Sequence, residues 1–375
     1  MEDEEKEEIV TGPKAKLKFK EKLAKFWGVK RNRWIVIISI IIIILAALAL
    51  GTYFLVYKNG KLTSLPAKTE EKPQLYQSLL DGTMTDSTGA NRHPLGIMVE
   101  NHTDARPQSG LSQASIVYEA IAEGGITRFL AVYGPKSAAK VGPVRSARTY
   151  YVDWISELNG YLAHVGGNYD ALQMIAGRKI LDLDQFANPA PYWRDYSRNV
   201  SSEHTMYTDT DKLYRAATDK KYTVSNTFIP YKFKDDADAA SRPVSQAISI
   251  NFGNPTYNVD WNYAPTNNIY LRSQAGKPHI DALNNQQLSA KNVVVMTVKR
   301  AATVTAINEQ GYMMTTVGTG AASIFDDGKE TKGSWKKDNE NARTRFFDTT
   351  GSEVQFDAGQ TWIEVISPEL GFTIK

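Results

Sequence analysis

Apolar and polar positions divide the chain into distinct regimes. Residues 34–57 run for twenty-four positions without a charge. A bilayer core about 30 Å thick needs roughly 20 apolar residues in a helix. Residues 35–50 supply an almost unbroken aliphatic stretch, and Trp34, Tyr53 and Tyr57 fall where interfacial aromatics sit. A transmembrane helix is expected there. Further on, short apolar runs alternate with helical spacing. Strands are expected over 95–100, 115–121, 126–133 and 161–165, and helices over 146–159 and 168–177. In the first helix Ser146 is the expected N-cap, and Tyr151, Trp154, Ile155 and Leu158 share a face. From 246 the pattern turns to short strand-like runs, at 247–252, 257–263, 268–274, 293–298, 312–317 and 361–366. Asp326-Asp327-Gly328 and Thr349-Thr350-Gly351 read as hairpin turns.

The expected architecture is α+β overall. It has one N-terminal transmembrane helix, an α/β domain and then a mostly β domain. The segments are a tail over 1–33, the span at 34–57, a stalk over 58–90 with a short helix near 74–80, an α/β domain at 91–222, a linker at 223–245 and a β-rich domain at 246–375. The tail opens on an acidic run, Met1 to Glu5, expected to be disordered.

Charge orients the span. Nine cations lie just before it: Lys14, Lys16, Lys18, Lys20, Lys22, Lys25, Lys30, Arg31 and Arg33. Those after it are more dilute. The positive-inside rule then puts the N-terminus in the cytoplasm and residues 58–375 outside. The basic segment either lies on the anionic inner leaflet or only sets topology. Ten Lys/Arg and seven Asp/Glu fall in residues 1–57, out of 44 and 41 in the chain, so 34 of each lie beyond. The external part is neutral, and no nucleic-acid partner is expected. There is no cysteine, which removes disulfides, thiol catalysis and thiolate metal sites. An exported chain without cysteine suits a Gram-positive-type bacterium.

Several motifs recur together. Residues 94–101 (PLGIMVEN) precede Arg106-Pro107-Gln108-Ser109-Gly110-Leu111, Tyr118-Glu119-Ala120, Glu123-Gly124-Gly125-Ile126-Thr127-Arg128 and Gly142-Pro143-Val144-Arg145-Ser146-Ala147-Arg148. Downstream stand Tyr270-Leu271-Arg272-Ser273, Pro278-His279, Gly333-Ser334-Trp335-Lys336-Lys337 and Gln360-Thr361-Trp362-Ile363-Glu364. Over about 93–215 and 246–367 the chain resembles the YerB-like lipoprotein family, a two-domain family of unknown function. The resemblance implies the outer face of a bacterial plasma membrane. Members are commonly tethered by lipid on an N-terminal cysteine; here the apolar helix takes that place.

No reaction motif stands out. There is no Ser–His–Asp order, no phosphate-loop lysine and no His-rich metal spacing, so no metal and no cofactor are expected. Residues 142–148 form the most chemical stretch. Gly-Pro makes a turn, Ser146 precedes a helix, and Arg145 and Arg148 flank its first turn. Either these arginines present an anion site, or they pair with acids such as Glu119 and Glu123. Arg128 follows the Gly124-Gly125 turn. His164 precedes Gly166-Gly167-Asn168, a turn suited to an anion cradle or to a structural histidine. Asp182 and Asp184 straddle Leu183, too few carboxylates for a metal. Arg194, Arg198 and His204 complete a polar set. Trp261, Tyr263, Tyr270 and Trp335 form a sugar-stacking face or a core. Arg272, Gln274, His279 and Asp281 form a polar face or a domain contact.

The expected function is binding of an anionic cell-wall precursor or polymer through Arg128, Arg145, Ser146, Arg148, Arg194, Arg198 and His204. Glu119, Glu123, Asp153 and His164 are the candidate acid/base groups if any catalysis occurs. The alternative is a non-catalytic scaffold or regulator that binds an envelope protein partner.

Overall fold

A computed structural model describes residues 13–58, 73–222 and 226–375. It divides into two units, Met1–Lys72 and Pro73–Lys375. In the first unit, α1 (Pro13–Gly28) carries the basic segment and α2 (Lys30–Lys58) the apolar run. Arg33–Tyr57 is long and apolar enough to cross a membrane, and none of its apolar window is buried among the described residues. The acidic start and residues 59–72 of the expected stalk lie outside the described residues, as do 223–225 of the expected linker.

The second unit holds three main helices, α3 (Thr149–Ser156), α4 (Tyr169–Gly177) and α5 (Thr210–Asp219). Its first strands are β1 (Leu95–Glu100), β2 (Ile116–Glu123), β3 (Ile126–Tyr133), β4 (Tyr161–His164) and β5 (Leu181–Asp184). The later half supplies β6 (Ala247–Ile250), β7 (Val259–Ala264), β8 (Ile269–Gln274), β9 (Asn292–Thr297), β10 (Arg300–Val304), β11 (Gln310–Met314), β12 (Gly318–Asp326), β13 (Lys329–Lys337), β14 (Arg345–Asp348), β15 (Thr361–Ile366) and β16 (Phe372–Ile374). The α/β character of the first region and the β character of the second are as expected.

The two regions share one sheet. Ten strands run in the order β14-β13-β12-β9-β15-β2-β3-β1-β4-β5. The seam is the parallel pair β15–β2, which sets Trp362 beside Val117 and Glu364 beside Glu119. Both faces are covered, so β1 and β15 are buried at every position. Such strands read as continuous apolar runs. One face packs Val99, Val117, Phe129 and Trp362 against Ile248, Trp261 and Tyr270 of a second sheet. That sheet runs β8-β7-β6-β16, with short strands added to β8. The other face packs Met98, Tyr118, Leu130 and Ile363 against Tyr151, Trp154 and Ile155 of α3. Beyond the sheets, β10 and β11 pair only with each other, as a two-stranded arm.

Several expectations differ from the structure. Residues 73–90 are part of the body and not of a stalk. Tyr76–Gln77 pairs with Met84–Thr85 where a short helix was expected. The buried Asp81 carboxylate accepts from Thr83 and, at 2.6 Å, from the Ser115 hydroxyl. Ser146 is not an N-cap: α3 starts later, and Arg148 stands at the cap position without a side-chain capping bond. Residues 145–147 stay extended because their backbone pairs with Met98, Val165 and Gly166. Lys232–Lys234, inside the expected linker, pairs with Gln355–Asp357. The Lys234 ammonium sits among Asp326, Asp327 and Asp357, so the cation among these three acids is the protein's own. The Asp326-Asp327-Gly328 turn does close a hairpin, β12–β13, with positive φ at Asp327 and Gly328. Trp261, Tyr263, Tyr270 and Trp335 are buried core, not a sugar-stacking face.

A buried polar network joins the second sheet to the seam. Arg272 of β8 is fully buried and donates to Glu119 of β2 and to Nδ1 of His279. Trp261 Nε1 donates to Glu364 at 2.8 Å. Glu119 also accepts from the Thr127 hydroxyl at 2.6 Å and from Asn101. Burial, and then the Glu119 charge alongside, pushes the Glu364 carboxyl well above the usual carboxylate range. Burial, and then the Arg272 and Arg106 charges, pushes His279 well below its ordinary value. Neutral His279 accepts from Arg272 at Nδ1 and donates from Nε2 to Gln108, 2.7 Å away. Thus Arg272 and His279 are a contact between sheets. Removing one partner of a buried pair strands the other charge, which costs about 3–5 kcal/mol. Arg272→Ala is therefore expected to lower the unfolding free energy by about that amount in urea titrations. The double variant Arg272→Met/Glu119→Gln should recover much of the loss. A single-variant loss below about 1 kcal/mol would show that the pair does not brace the fold.

Candidate functional site

The arginine-rich stretch 142–148 is an extended strap laid across strand ends. Ser109 N donates to Gly142 O and Gly142 N to Ser109 O. Val144 N donates to Met206 O, Arg145 N to Met98 O, and Ala147 N to Gly166 O. A Cβ on Gly142 would meet Met206 O at 2.8 Å, so this position needs glycine. These bonds fix the strap and send Arg145 and Arg148 to two separate acids.

At one end Glu123 is the hub. Its carboxylate accepts from Arg128 through one oxygen and from Arg148, at 2.8 Å, through the other. Arg128 also donates to Ser146 O at 2.8 Å and Arg148 to Ala147 O at 2.7 Å. Arg128 is buried, and its Nε has no acceptor among the described residues. Burial raises the Glu123 pKa, but the two guanidinium charges outweigh that and hold it below its ordinary value. One carboxylate facing two guanidiniums leaves a net positive charge. Glu123 ends β2, and Gly124 and Gly125 turn the chain back with φ of 58° and 74°. Their outer faces are open, with nothing within 4 Å of where a Cβ would stand. The arm β10–β11 lies opposite. Between them is a cleft of about 650 Å³, lined by Glu123, Gly124, Ala302, Val304, Gln310 and Tyr312.

At the other end Glu100 is the hub. Its Oε1 lies 3.3 Å from Arg145 Nε, and its Oε2 is 2.9 Å from His204 Nδ1. Arg145 also donates to Glu203 at 2.7 Å. That bond, with the Arg145 charge, holds Glu203 below its ordinary pKa. The His204 ring stacks on His102, with centroids 4.7 Å apart.

The remaining expected residues do not converge on either place. Glu119 is sealed in the seam beneath Arg272. Asp153 braces Arg178 and accepts from Thr316 at 2.6 Å. His164 is fully buried, with Nδ1 at 2.7 Å from Gly166 O and Nε2 at 3.0 Å from Asp182. The turn after it is no open anion cradle, because Gly166 N already donates to Asp184. Arg194 donates to Ser202 O and Thr205. Arg198 ties down the carbonyls of Asp104, Ala105 and Arg106. The Ser146 side chain makes no hydrogen bond to a described residue. Sequence reasoning missed Glu100, His102 and Glu203 as participants. Their signal was adjacency: Glu100 and His102 flank Asn101, and Glu203 precedes His204.

An α+β body preceded by an apolar helix long enough to cross a membrane is compatible with a membrane-associated protein. The chain belongs to the family described as protein of unknown function (DUF3048). Its N-terminal domain model matches residues 80–223 and its C-terminal domain model residues 248–363. It is 30% identical over 300 residues to "Putative lipoprotein YerB" of Bacillus subtilis (strain 168), covering 78% of this chain and 86% of that protein. The crystal structure of the YerB protein from Bacillus subtilis is similar, with a TM-score of 0.69 and 26% identity. That likeness covers 80% of this chain and 99% of that one.

The depressed Glu123 pKa has a definite sign. Its stabilising contribution is present above the ordinary value of 4.5 and is lost as pH falls through the lower folded value. The melting temperature of the wild type is expected to fall below about pH 4.5 more steeply than that of Glu123→Gln. Parallel curves from about pH 3 to 7 would show that the carboxylate is not held by the two arginines.

Proposed function

We propose that this chain is a membrane-tethered protein of the bacterial envelope that holds an anionic, phosphate-bearing ligand without transforming it. The helix α2 is the single span. The Lys/Arg excess before it supports a cytoplasmic N-terminus and an extracytoplasmic body. A cell-wall precursor or an anionic wall polymer is the ligand class. The observation that carries this is the cleft at Glu123. There Glu123, about one-third exposed, lines the cleft and holds the donors of two guanidiniums that lie behind it, Arg128 buried and Arg148 14% exposed. A phosphate group offers more charge and more acceptor oxygens than one carboxylate. It would displace Glu123 from Arg148, the more exposed of the two arginines. The other expected arginines are otherwise engaged: Arg145 is shared between Glu100 and Glu203, and Arg194 and Arg198 hold backbone carbonyls. The same contacts support binding without catalysis: Glu119, Asp153 and His164 each have structural partners.

A second reading is the scaffold that binds an envelope protein. The arm favours it, because Val304, Ile307 and Met313 are each more than half exposed there.

The two separate in one experiment on the full chain in lipid nanodiscs. Binding of a polyol-phosphate polymer is compared with that of a neutral polysaccharide. Loss of one charge-assisted hydrogen bond corresponds to roughly tenfold in affinity, so Arg148→Ala is expected to weaken polymer binding by about that factor. Glu123→Gln removes the competing acid and should strengthen it. Equal affinity for charged and neutral polymers, or no response to either variant, would leave the scaffold as the function.

A further inference from the structure

The acid-rich end of the strap carries a set of donors that the anion cleft does not use. We propose that His102, Asp104, His204 and Glu203 form a binding site for a divalent transition metal, with zinc the best-suited ion. His102, Asp104 and His204 bring one donor atom each within 4.8 Å of one another. His204 Nε2 lies 3.7 Å from Glu203 Oε1, and His102 Nδ1 lies 3.8 Å from Asp104 Oδ2. Two donors about 2.1 Å from a tetrahedral ion stand roughly 3.4 Å apart, so both spacings are a few tenths of an ångström from a ligand pair. Two imidazoles and two carboxylates are a donor set that zinc accepts.

A second observation points into the same space. The His204 side chain is 6% exposed, and its Nε2 faces Glu203 Oε1 at 3.7 Å, beyond hydrogen-bond distance. Its Nδ1 is held by Glu100 at 2.9 Å. A carboxylate on the far nitrogen is the usual way a metal-binding histidine is oriented and made more basic. Arg145 extends that support, since it holds Glu100 and the Oε2 of Glu203 and leaves Glu203 Oε1 facing His204. Three carboxylates, Glu100, Asp104 and Glu203, stand here against Arg145, which pairs with two of them, while Arg194 and Arg198 donate to the backbone carbonyls of Ser202 and Asp104.

One adjustment is required. The two rings are parallel within 4°, and an ion cannot lie in both ring planes at once. His102 is the ring free to turn, since its side chain is 33% exposed and its Nδ1 only accepts a 3.2 Å bond from Asp104 N. The site is independent of the anion cleft, and its existence does not depend on that ligand.

The test uses the untagged full chain in detergent, titrated with zinc chloride by calorimetry and with cobalt(II) by visible absorption. One ion per chain is expected, with the intense bands of four-coordinate cobalt. His102→Ala should abolish them while the circular dichroism spectrum stays unchanged. Glu100→Gln should weaken zinc binding by about 10- to 100-fold. Absence of zinc binding by the wild type, or an unaltered stoichiometry and cobalt spectrum in His102→Ala, would overturn the proposal.

Discussion

A guanidinium shut away from water needs a carboxylate, and Arg272 finds Glu119 on a strand 153 positions away in sequence. Both side chains are fully buried. This pair sets how the chain closes. Glu119 belongs to the early region and Glu364 beside it to the last long strand, while Arg272 comes from the second sheet. Two ionised acids against one guanidinium would leave a buried charge uncompensated. The raised Glu364 pKa removes that conflict by keeping its proton, and the Trp261 indole N–H then satisfies one of its oxygens. The wrong register across β15–β2 would separate the acids from Arg272. The polar network thus acts as a register key in a seam whose other pairs are Thr361 with Ile116, Trp362 with Val117 and Ile363 with Tyr118, where apolar packing alone tolerates sliding.

The same seam explains what was legible in the sequence. Strands β1, β3 and β15 lie almost where their mainly apolar runs placed them, because a strand covered on both faces shows little polar alternation. Helix α4 was legible from local chemistry: Asn168 caps it by accepting from Ala171 N. The start of α3 was not. Ser146 has the chemistry of a cap, but its neighbours' backbone is committed to long-range pairing with Met98, Val165 and Gly166. Local propensity lost to tertiary hydrogen bonds, which a single sequence does not display. Residues 73–90 failed for a similar reason. Their polar composition suggested a stalk, yet Asp81 reaches Ser115 and Gly359 N donates to its carbonyl.

The candidate site was legible as residue types and not as partnerships. The two alternatives for the arginines, anion site or internal brace, were both present in the pattern. Arg148 indeed meets Glu123, but Glu119 goes elsewhere. In β2, Glu119 and Ala120 point to opposite faces, and Glu119 falls on the face toward the second sheet while Glu123 reaches the hairpin end beyond a bulge. A bulge is invisible in a single sequence, and here it decides which acid the strap can reach.

The strap itself carries the remaining consequence. Its backbone is pinned by long-range bonds, so Arg145 and Arg148 cannot exchange partners. The acids around them are unequal in number. One carboxylate serves Arg128 and Arg148, whereas Glu100 and Glu203 both serve Arg145, with Asp104 close by. A single rigid segment therefore has a cationic end and an anionic end, although residues beyond 57 balance to equal numbers of cations and anions. Net neutrality conceals this polarity. On the two proposals above, the first end would take a phosphate-bearing ligand and the second a metal cation. Two opposite local fields on one strap are a reason to look for binding at both ends.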